Sequence, residues 1–332
     1  MLDLDDFNEL QIFDQAGLLV RAGQVDQRWP AAQRALANLA ATTDLAHCAA
    51  TAVGLPLVLV VPPELMGIGR TVHALLPPKA AFHLVQWEVD VNLSPLYTPG
   101  LLISAVPTIT LQSITPDIAA VSLIDLSQFV SADQHPVQVL LFLLALLERL
   151  NPTLTAPLNL PQMQQPMLAN CTPDVPVATN PAKQLALQIF ERLPFFWATG
   201  ALVGVADDWR LRLLWYAECM AWSASTAELV RLQAMARLPR YWFNIVTFVH
   251  LTNVHLTKVT VHSLTPLEAK LDRLLTIRRL RSVRVSTPAD SEAVGAVWHL
   301  LELGEWLALY TAALYNVEPT ERVPLQFLGD DS

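Results

Sequence analysis

The chain has 332 residues, more than one hydrophobic core usually accommodates, so we expect two domains. Apolar residues make up 53% and charged residues 15%, a composition that suits helices packed on both faces of a parallel sheet. Most of the net charge of −9 comes from residues 1–150, which carry −8. Neither half is basic enough to bind a nucleic-acid backbone. We therefore expect an α/β protein without nucleic acid as a partner.

The most apolar segment, residues 137–150, raises the question of a membrane span. Its uninterrupted apolar stretch, residues 139–147, is far shorter than the roughly 20 residues that cross a bilayer. The first residues, MLDLDDFNEL, are acidic and lack the apolar region of a signal peptide. The three cysteines show neither a disulfide pattern nor metal-ligand spacing. We therefore expect a cytoplasmic protein that has no membrane contact, no metal and no other cofactor.

Strands and helices are predicted to alternate along residues 1–150. Residues 28–53 have helical spacing, and residues 55–61 (LPLVLVV) form an apolar, β-branched run of the kind found in buried strands. Further strands are predicted at 81–89, 101–106 and 120–126, with helices through residue 76 and over 138–150. This alternation predicts a parallel, doubly wound sheet.

The proline-rich residues 151–181 predict a linker or a wrapping arm, because dense proline disfavours helix and inner strand alike. A second series of strands and helices follows. Helices are predicted at 182–192, 208–223, 266–277 and 289–315, and strands at 193–198, 242–250 and 281–286. The predicted organisation is therefore one domain at 1–150, a linker at 151–181 and a second domain at 182–332.

The end of the chain carries the most specific motif. Residues 304–329 (GEWLALYTAALYNVEPTERVPLQFLG) resemble the closing segment of the bifunctional phosphoglucose/phosphomannose isomerases, where a helix leads into a Gly-Val-Asp-Pro-Thr turn and an extended tail. Residues 192–209 (RLPFFWATGALVGVADDW) resemble the opening of that family's second domain, and residues 13–19 (FDQAGLL) resemble its Asp-Pro-Ser-Gly-Met-Leu. The chain is therefore identified as a divergent member of this family of SIS-domain phosphosugar isomerases.

The resemblance implies two SIS-type, flavodoxin-like domains, each a three-layer α/β/α structure with a parallel sheet. It implies a homodimer that binds a sugar phosphate, with the phosphate held by hydroxyl groups and by backbone N–H groups at a helix N-terminus. The implied reaction is the aldose–ketose isomerisation of glucose 6-phosphate or mannose 6-phosphate. That reaction needs a carboxylate base, assisted by histidine and lysine.

The phosphate-binding positions depart from the family pattern. The first phosphate loop of the family aligns with residues 62–70, where its serine falls on Met66 and Gly67 and Gly69 remain as candidate phosphate contacts. The second loop aligns with residues 106–114, where Thr108 and Thr110 are the candidates. A purely structural interpretation stays open for both loops: a tight turn at the glycines, and a helix cap at the threonines.

The catalytic positions depart as well. The family's base aligns with Gln233, which cannot accept a proton near neutral pH. Glu228, five residues earlier, is the candidate for a replacement base. His255 stands where the family often has a histidine, and the closing lysine falls on Gly329. The resemblance thus implies a retained scaffold that has lost most of its catalytic groups.

Two other polar patterns favour structural roles. Asp207 and Asp208 precede the helix predicted at 208–223, as an N-cap would. His250, His255 and His262 are irregularly spaced and lack the further ligands of a metal site.

Three functions remain open from the sequence. The protein is an isomerase with replacement groups, a sugar-phosphate-binding sensor without turnover, or a non-catalytic structural or regulatory partner subunit.

Overall fold

The structure is a computed structural model that describes residues 3–6, 9–10, 14, 18–52, 57–77, 82–86, 101–105, 122–130, 134–158, 168–235, 242–253, 265–287 and 292–319. The chain divides into two compact units. The first-sheet unit comprises residues 26–164 and 292–294, and the second-sheet unit comprises residues 1–25, 165–291 and 295–332. The division into domains at 1–150 and 182–332 with a linker at 151–181 stays a prediction.

Both units are built on four parallel strands. The strands are β1 (Leu57–Val61), β2 (Phe82–Gln86), β3 (Leu101–Ser104), β4 (Ser122–Asp125), β5 (Leu193–Ala198), β6 (Trp222–Ser225), β7 (Val246–Thr252) and β8 (Arg281–Ser286). The first sheet has the order β2-β1-β3-β4 and the second has the equivalent order β6-β5-β7-β8. The predicted fold class, two α/β domains with parallel sheets, is confirmed.

Helices flank the strands. They are α1 (Leu18–Ala22), α2 (Arg28–Thr42), α3 (Leu45–Ala52), α4 (Met66–Leu75), α5 (Pro136–Leu150), α6 (Pro152–Thr155), α7 (Pro181–Ile189), α8 (Leu202–Ala217), α9 (Thr226–Met235), α10 (Trp242–Ile245), α11 (Thr265–Ile277) and α12 (Ala293–Tyr315). Within the described ranges, no helix combines the length and the apolar character needed to cross a bilayer.

The core of the first-sheet unit lies between β1 and the apolar helix α5. Every residue of β1 is buried, as its unbroken run of leucine and valine predicts. Helix α5 is buried along nearly its whole length and packs against α2, α3 and α4. His135 begins this helix, because its Nδ1 accepts the N–H of Val137 at 3.3 Å. The apolar run that raised the question of a membrane is therefore the central helix of a core.

The core of the second-sheet unit includes the long helix α12, which packs against α8. The indole Nε1 of Trp209 on α8 donates a hydrogen bond to the carbonyl of Leu300 on α12 at 2.8 Å. Gly304 gives this indole its space, since a methyl group at that position would overlap the ring. A glycine on one helix thus accommodates a tryptophan on the other.

The amino-terminal segment belongs to the second-sheet unit because a buried lysine anchors it. The carboxylate of Asp5 accepts the N–H of Val177 at 2.7 Å and lies 3.5 Å from Nζ of Lys183. Lys183 is fully buried on α7, and its ammonium group also donates to the carbonyl of Pro173 at 2.8 Å.

Helix α8 corrects the prediction for residues 208–223. The helix begins at Leu202, so Asp207 and Asp208 lie inside it and are buried rather than acting as an N-cap. It ends where Glu218 adopts a left-handed conformation (φ 49°), and the N–H of the next residue bonds back to Leu213. Strand β6 and helix α9 then follow; neither was predicted.

Candidate functional site

The two candidate glycines lie in helix α4, which follows β1 after a short 3₁₀ turn (Pro63–Leu65). Gly67 and Gly69 are both buried in the first turns of this helix, so the tight-turn interpretation is wrong. A methyl group at Gly69 would lie 2.7 Å from Cδ1 of Leu84 and 3.2 Å from Cγ2 of Val61. Gly69 therefore lets the helix approach β1 and β2 closely. No side chain caps the helix, and the N–H groups of Leu65 and Met66 donate to the carbonyls of Pro62 and Pro63 in the turn before it.

Three other predicted site residues lie outside the described residues. Thr108 and Thr110 follow β3 in the sequence, and His255 follows β7. Their assignment to phosphate binding and to catalysis stays a prediction.

Both candidates for the base position lie on helix α9. Gln233 is in the last turn of this helix. Glu228 is in the first turn, where its carboxylate accepts hydrogen bonds from the N–H and the hydroxyl of Ser225, each at 2.7 Å. The hydroxyl oxygen of Ser225 in turn accepts the N–H of Glu228 at 3.2 Å. This reciprocal pattern is a capping box, and it gives Glu228 a structural role at the start of α9.

A polar cluster lies at the carboxyl ends of the second sheet's strands. This strand-end cluster consists of Thr199, Thr226, His250, Glu268 and Asp272. It lies where the strand order reverses between β5 and β7, which is the position of ligand sites in open parallel sheets. The sequence brings it together from the residue after β5, the first residue of α9, strand β7 and helix α11.

The two threonine hydroxyls of the cluster form a short hydrogen-bonded chain. Oγ1 of Thr199 is 2.7 Å from Oγ1 of Thr226 and donates to Oε1 of Glu268 at 2.5 Å. Oγ1 of Thr226 donates to the carbonyl of Ala198 at 3.0 Å. The hydroxyl of Thr199, next to the N-terminus of α9, therefore already donates to an anion, the carboxylate of Glu268.

The imidazole of His250 lies between two carboxylates and an indole. Its Nε2 is 3.8 Å from Oε1 of Glu268, and its Nδ1 is 3.9 Å from Oδ1 of Asp272. The ring stacks on Trp197 with centroids 3.5 Å apart and planes within 7° of parallel. Within the described part of the chain, neither ring nitrogen has a hydrogen-bond partner. Asp272 also pairs with the guanidinium of Arg284 on β8.

These neighbours set the charge of Glu268. Burial alone would raise the pKa of this carboxyl group. The interaction with His250, the hydrogen bond from Thr199 and the charge of Arg284 outweigh burial and lower the pKa of Glu268. Glu268 is therefore ionised at neutral pH, and its negative charge disfavours a phosphate beside the same hydroxyls.

No group of three or more metal-ligating side chains converges among the residues that the structure describes. The absence of a metal or other cofactor stays a prediction.

Sequence reasoning missed most of the strand-end cluster. Two local signals were present: Thr199 and Gly200 directly after a predicted strand, and the Ser-x-x-Glu pattern of Ser225 and Glu228 that marks a helix start. No local signal links Thr199 to Glu268, because 69 residues separate them.

Comparison with known proteins agrees with this architecture. Residues 178–328 match the family model of the bacterial phospho-glucose isomerase C-terminal SIS domain. No protein in a search of the curated proteins matches the chain significantly.

Three solved structures show the same fold over most of the chain. A glucose-6-phosphate isomerase like protein from Thermus thermophilus has 18% identity and a TM-score of 0.50, covering 83% of this chain and 86% of its own. Tagatose-6-phosphate ketose/aldose isomerase from Escherichia coli has 13% identity and a TM-score of 0.55, with coverage of 90% and 94%. The C-terminal domain of glucosamine-fructose-6-phosphate aminotransferase from Francisella tularensis has 11% identity and a TM-score of 0.53, with coverage of 88% and 94%.

The paired parallel sheets, with a polar cluster at the point of strand reversal, define the class as an SIS-fold α/β protein. Residues 178–328 match the phospho-glucose isomerase C-terminal SIS domain, and the chain as a whole shares the fold of the solved sugar-phosphate isomerases.

Proposed function

We propose that this chain is a phosphosugar isomerase-like protein that binds a sugar phosphate but does not isomerise it at the rate of a working enzyme. The phosphate contacts are assigned to Gly67, Gly69, Thr108 and Thr110. Support comes from the fold that the chain shares with solved sugar-phosphate isomerases. The positive end of the helix dipole of α4, at Gly67 and Gly69, favours an anion.

The observation that carries the loss of turnover is the engagement of Glu228. Its carboxylate closes the capping box of α9, so it holds a helix rather than a substrate proton. Gln233, at the aligned base position, has an amide that does not accept protons near neutral pH. Losing a general base costs about 10²–10⁴-fold in rate. His255 keeps no assigned role beyond its family position.

The alternative is a non-catalytic structural or regulatory partner subunit. The strand-end cluster favours it, because Glu268 takes the hydroxyl hydrogen bond that an anionic ligand would need in the second-sheet unit. The carboxylate of Glu268 occupies the position that an anionic ligand would take. In this alternative the scaffold serves contacts with another protein instead of ligand binding.

We further propose a cytoplasmic homodimer. Cys48, Cys171 and Cys219 are all free thiols, as expected in a reducing compartment. The apolar composition and the resemblance to dimeric relatives support a symmetric interface. Light scattering that reports a 36.7 kDa species at micromolar concentration would contradict the dimer.

Calorimetric titration with fructose 6-phosphate and with mannose 6-phosphate tests the ligand. We expect binding to the wild-type chain and its loss in the double variant Thr108→Ala/Thr110→Ala. Thr276→Ala, at an exposed threonine on α11, is the matched control and should bind normally. If neither sugar phosphate binds, sugar-phosphate binding is wrong and the partner-subunit alternative stands.

A further inference from the structure

A separate pocket lies in the second-sheet unit beside the edge strand β8. Its volume is about 480 Å³, within the roughly 300–1,000 Å³ of small-molecule sites. Strand β8 and Thr287 form one wall, and helices α7 and α12 with the segment around Asn170 form the others. It contains no residue to which phosphate binding or catalysis has been assigned.

The polar groups of the pocket are mostly uncharged. Gln184 and Gln188 come from α7, Asn170 comes from the preceding segment, and Thr287 follows β8. A carboxamide offers both hydrogen-bond donors and an acceptor, and a hydroxyl offers one of each kind. None of the described lining residues is a carboxylate, so the pocket does not favour a cation.

Arg284 is the single arginine among these lining residues, and its guanidinium pairs with Asp272. Because Asp272 is on α11, the side chain of Arg284 leaves the strand on the face opposite to α7 and α12 and brings no charge into the pocket. The pocket accordingly suits a neutral ring.

His299 on α12 supplies a polar group that the protein itself leaves unused. Within the described residues, its imidazole has no hydrogen bond or ion pair. Burial lowers the pKa of His299, so the ring is uncharged at neutral pH. A neutral imidazole has one donor and one acceptor nitrogen. Partly buried polar groups normally have a hydrogen-bond partner. Because the described residues supply none for His299, both of its nitrogens can hydrogen-bond to a ligand in the pocket.

The remaining walls combine a second unused polar group, a hydroxyl, with apolar surface. Thr287 is 7% exposed, and its Oγ1 has no hydrogen-bond partner among the described residues. Leu185 and Leu303 are buried and give the pocket an apolar side. Such walls match a ring that bears hydroxyl groups on its edge and C–H groups on its faces.

We infer that this pocket binds a polyhydroxylated carbohydrate ring, whose hydroxyls exchange hydrogen bonds with His299, Gln188 and Thr287. The apolar side of the pocket, Leu185 and Leu303, packs against a face of the ring. A free sugar and a sugar phosphate present the same ring chemistry, so the test must separate these two sources.

Calorimetric titration of the full chain with glucose, mannose and fructose, and with their 6-phosphates, tests this inference. We expect at least one of these sugars to bind with a Kd of about 1 mM or lower. His299→Phe and Gln188→Leu should each weaken that binding about fivefold to tenfold, the effect of losing one neutral hydrogen bond. His73→Phe, the same change at an exposed histidine on α4, is the control and should leave binding unchanged.

Two results would overturn the inference. One is the absence of binding by every sugar and 6-phosphate up to about 10 mM, a concentration well above the expected Kd. The other is binding that both pocket variants leave unchanged although they unfold at the wild-type temperature. If that binding is confined to the 6-phosphates and disappears in Thr108→Ala/Thr110→Ala, the pocket is refuted while the proposed function survives.

Discussion

Replacing Arg212 by methionine tests the buried charge network that joins α8 to α12. Nε of Arg212 lies 3.3 Å from Oδ2 of Asp208, and Nη1 lies 3.2 Å from Oε2 of Glu305. Nη1 also donates to the hydroxyl of Tyr216 at 2.8 Å, and that hydroxyl donates to Oε1 of Glu305 at 3.1 Å. All four residues are at most 4% exposed. The guanidinium therefore compensates two carboxylates away from water.

The expected loss follows from leaving those carboxylates without their cation. Although burial by itself opposes the charge, Glu305, Tyr216 and Asp208 raise the pKa of Arg212, so the guanidinium stays ionised. Breaking a buried ion pair by removing one partner costs about 3–5 kcal/mol, a large share of a typical stability of about 5–15 kcal/mol. We expect Arg212→Met to lower the melting temperature on the order of 10 °C. The difference should shrink as pH falls, because orphaned buried carboxylates take up protons readily.

Thermal and urea unfolding of wild type, Arg212→Met and the half-exposed control Arg210→Met measure this effect. The control should change stability by less than about 1 kcal/mol. Replacing Asp208 and Glu305 by leucine in the Arg212→Met background should recover most of the loss, since an apolar substitute for a whole buried network is often neutral. An Arg212→Met variant as stable as the control would refute the reasoning.

Three further predictions concern packing and charge. Gly304→Ala should lower the free energy of unfolding by about 1–3 kcal/mol, because the added methyl group overlaps the Trp209 indole. Adding Trp209→Phe to the same chain should reduce that loss. If urea unfolding shows that the losses of the two single variants simply add in the double variant, the overlap is contradicted. The lowered pKa of Glu268 contributes stability that is present above about pH 4.3, the ordinary carboxylate value, and lost as pH falls through the folded pKa. Glu268→Gln should therefore differ from wild type at neutral pH and converge with it in acid, and a pH-independent difference would exclude the charge as its cause. Asp5→Ala should release the amino-terminal segment and speed its proteolysis more than Lys183→Met does, since Asp5 contacts Lys183 and also accepts the N–H of Val177. Faster proteolysis of Lys183→Met would contradict this.

The strands with strong local signals were predictable. The apolar β5 and the alternating β8 coincide with their predicted bounds, and the buried β1 lies within the strand predicted at 55–61. Strand β6 was missed because Trp-Ser-Ala-Ser is short, polar and without alternation. A local sequence pattern identifies a strand or helix only where its hydrophobic periodicity extends over enough residues to be recognised.

The departures arise from partners distant in sequence. Asp207 and Asp208 looked like an N-cap, but Ser223 donates to Asp207 at 2.6 Å and Arg212 pairs with Asp208 inside the helix. The capping box of Glu228 was visible in the sequence, whereas the meeting of Thr199 with Glu268 was not. Side chains from separate strands and helices converge only when the sheet order is known.

A coupled isomerase assay with fructose 6-phosphate and mannose 6-phosphate, run on protein whose ligand binding has been titrated, tests the central claim most directly. We expect the chain to bind a sugar phosphate. Glu228→Gln should leave turnover unchanged and stability nearly unchanged, because glutamine also completes a capping box, whereas Glu228→Ala should lower stability. We also expect turnover far below about 1 s⁻¹, the lower end for working enzymes. Turnover of about 1 s⁻¹ or faster, abolished in Glu228→Gln, would contradict the account and identify Glu228 as the base.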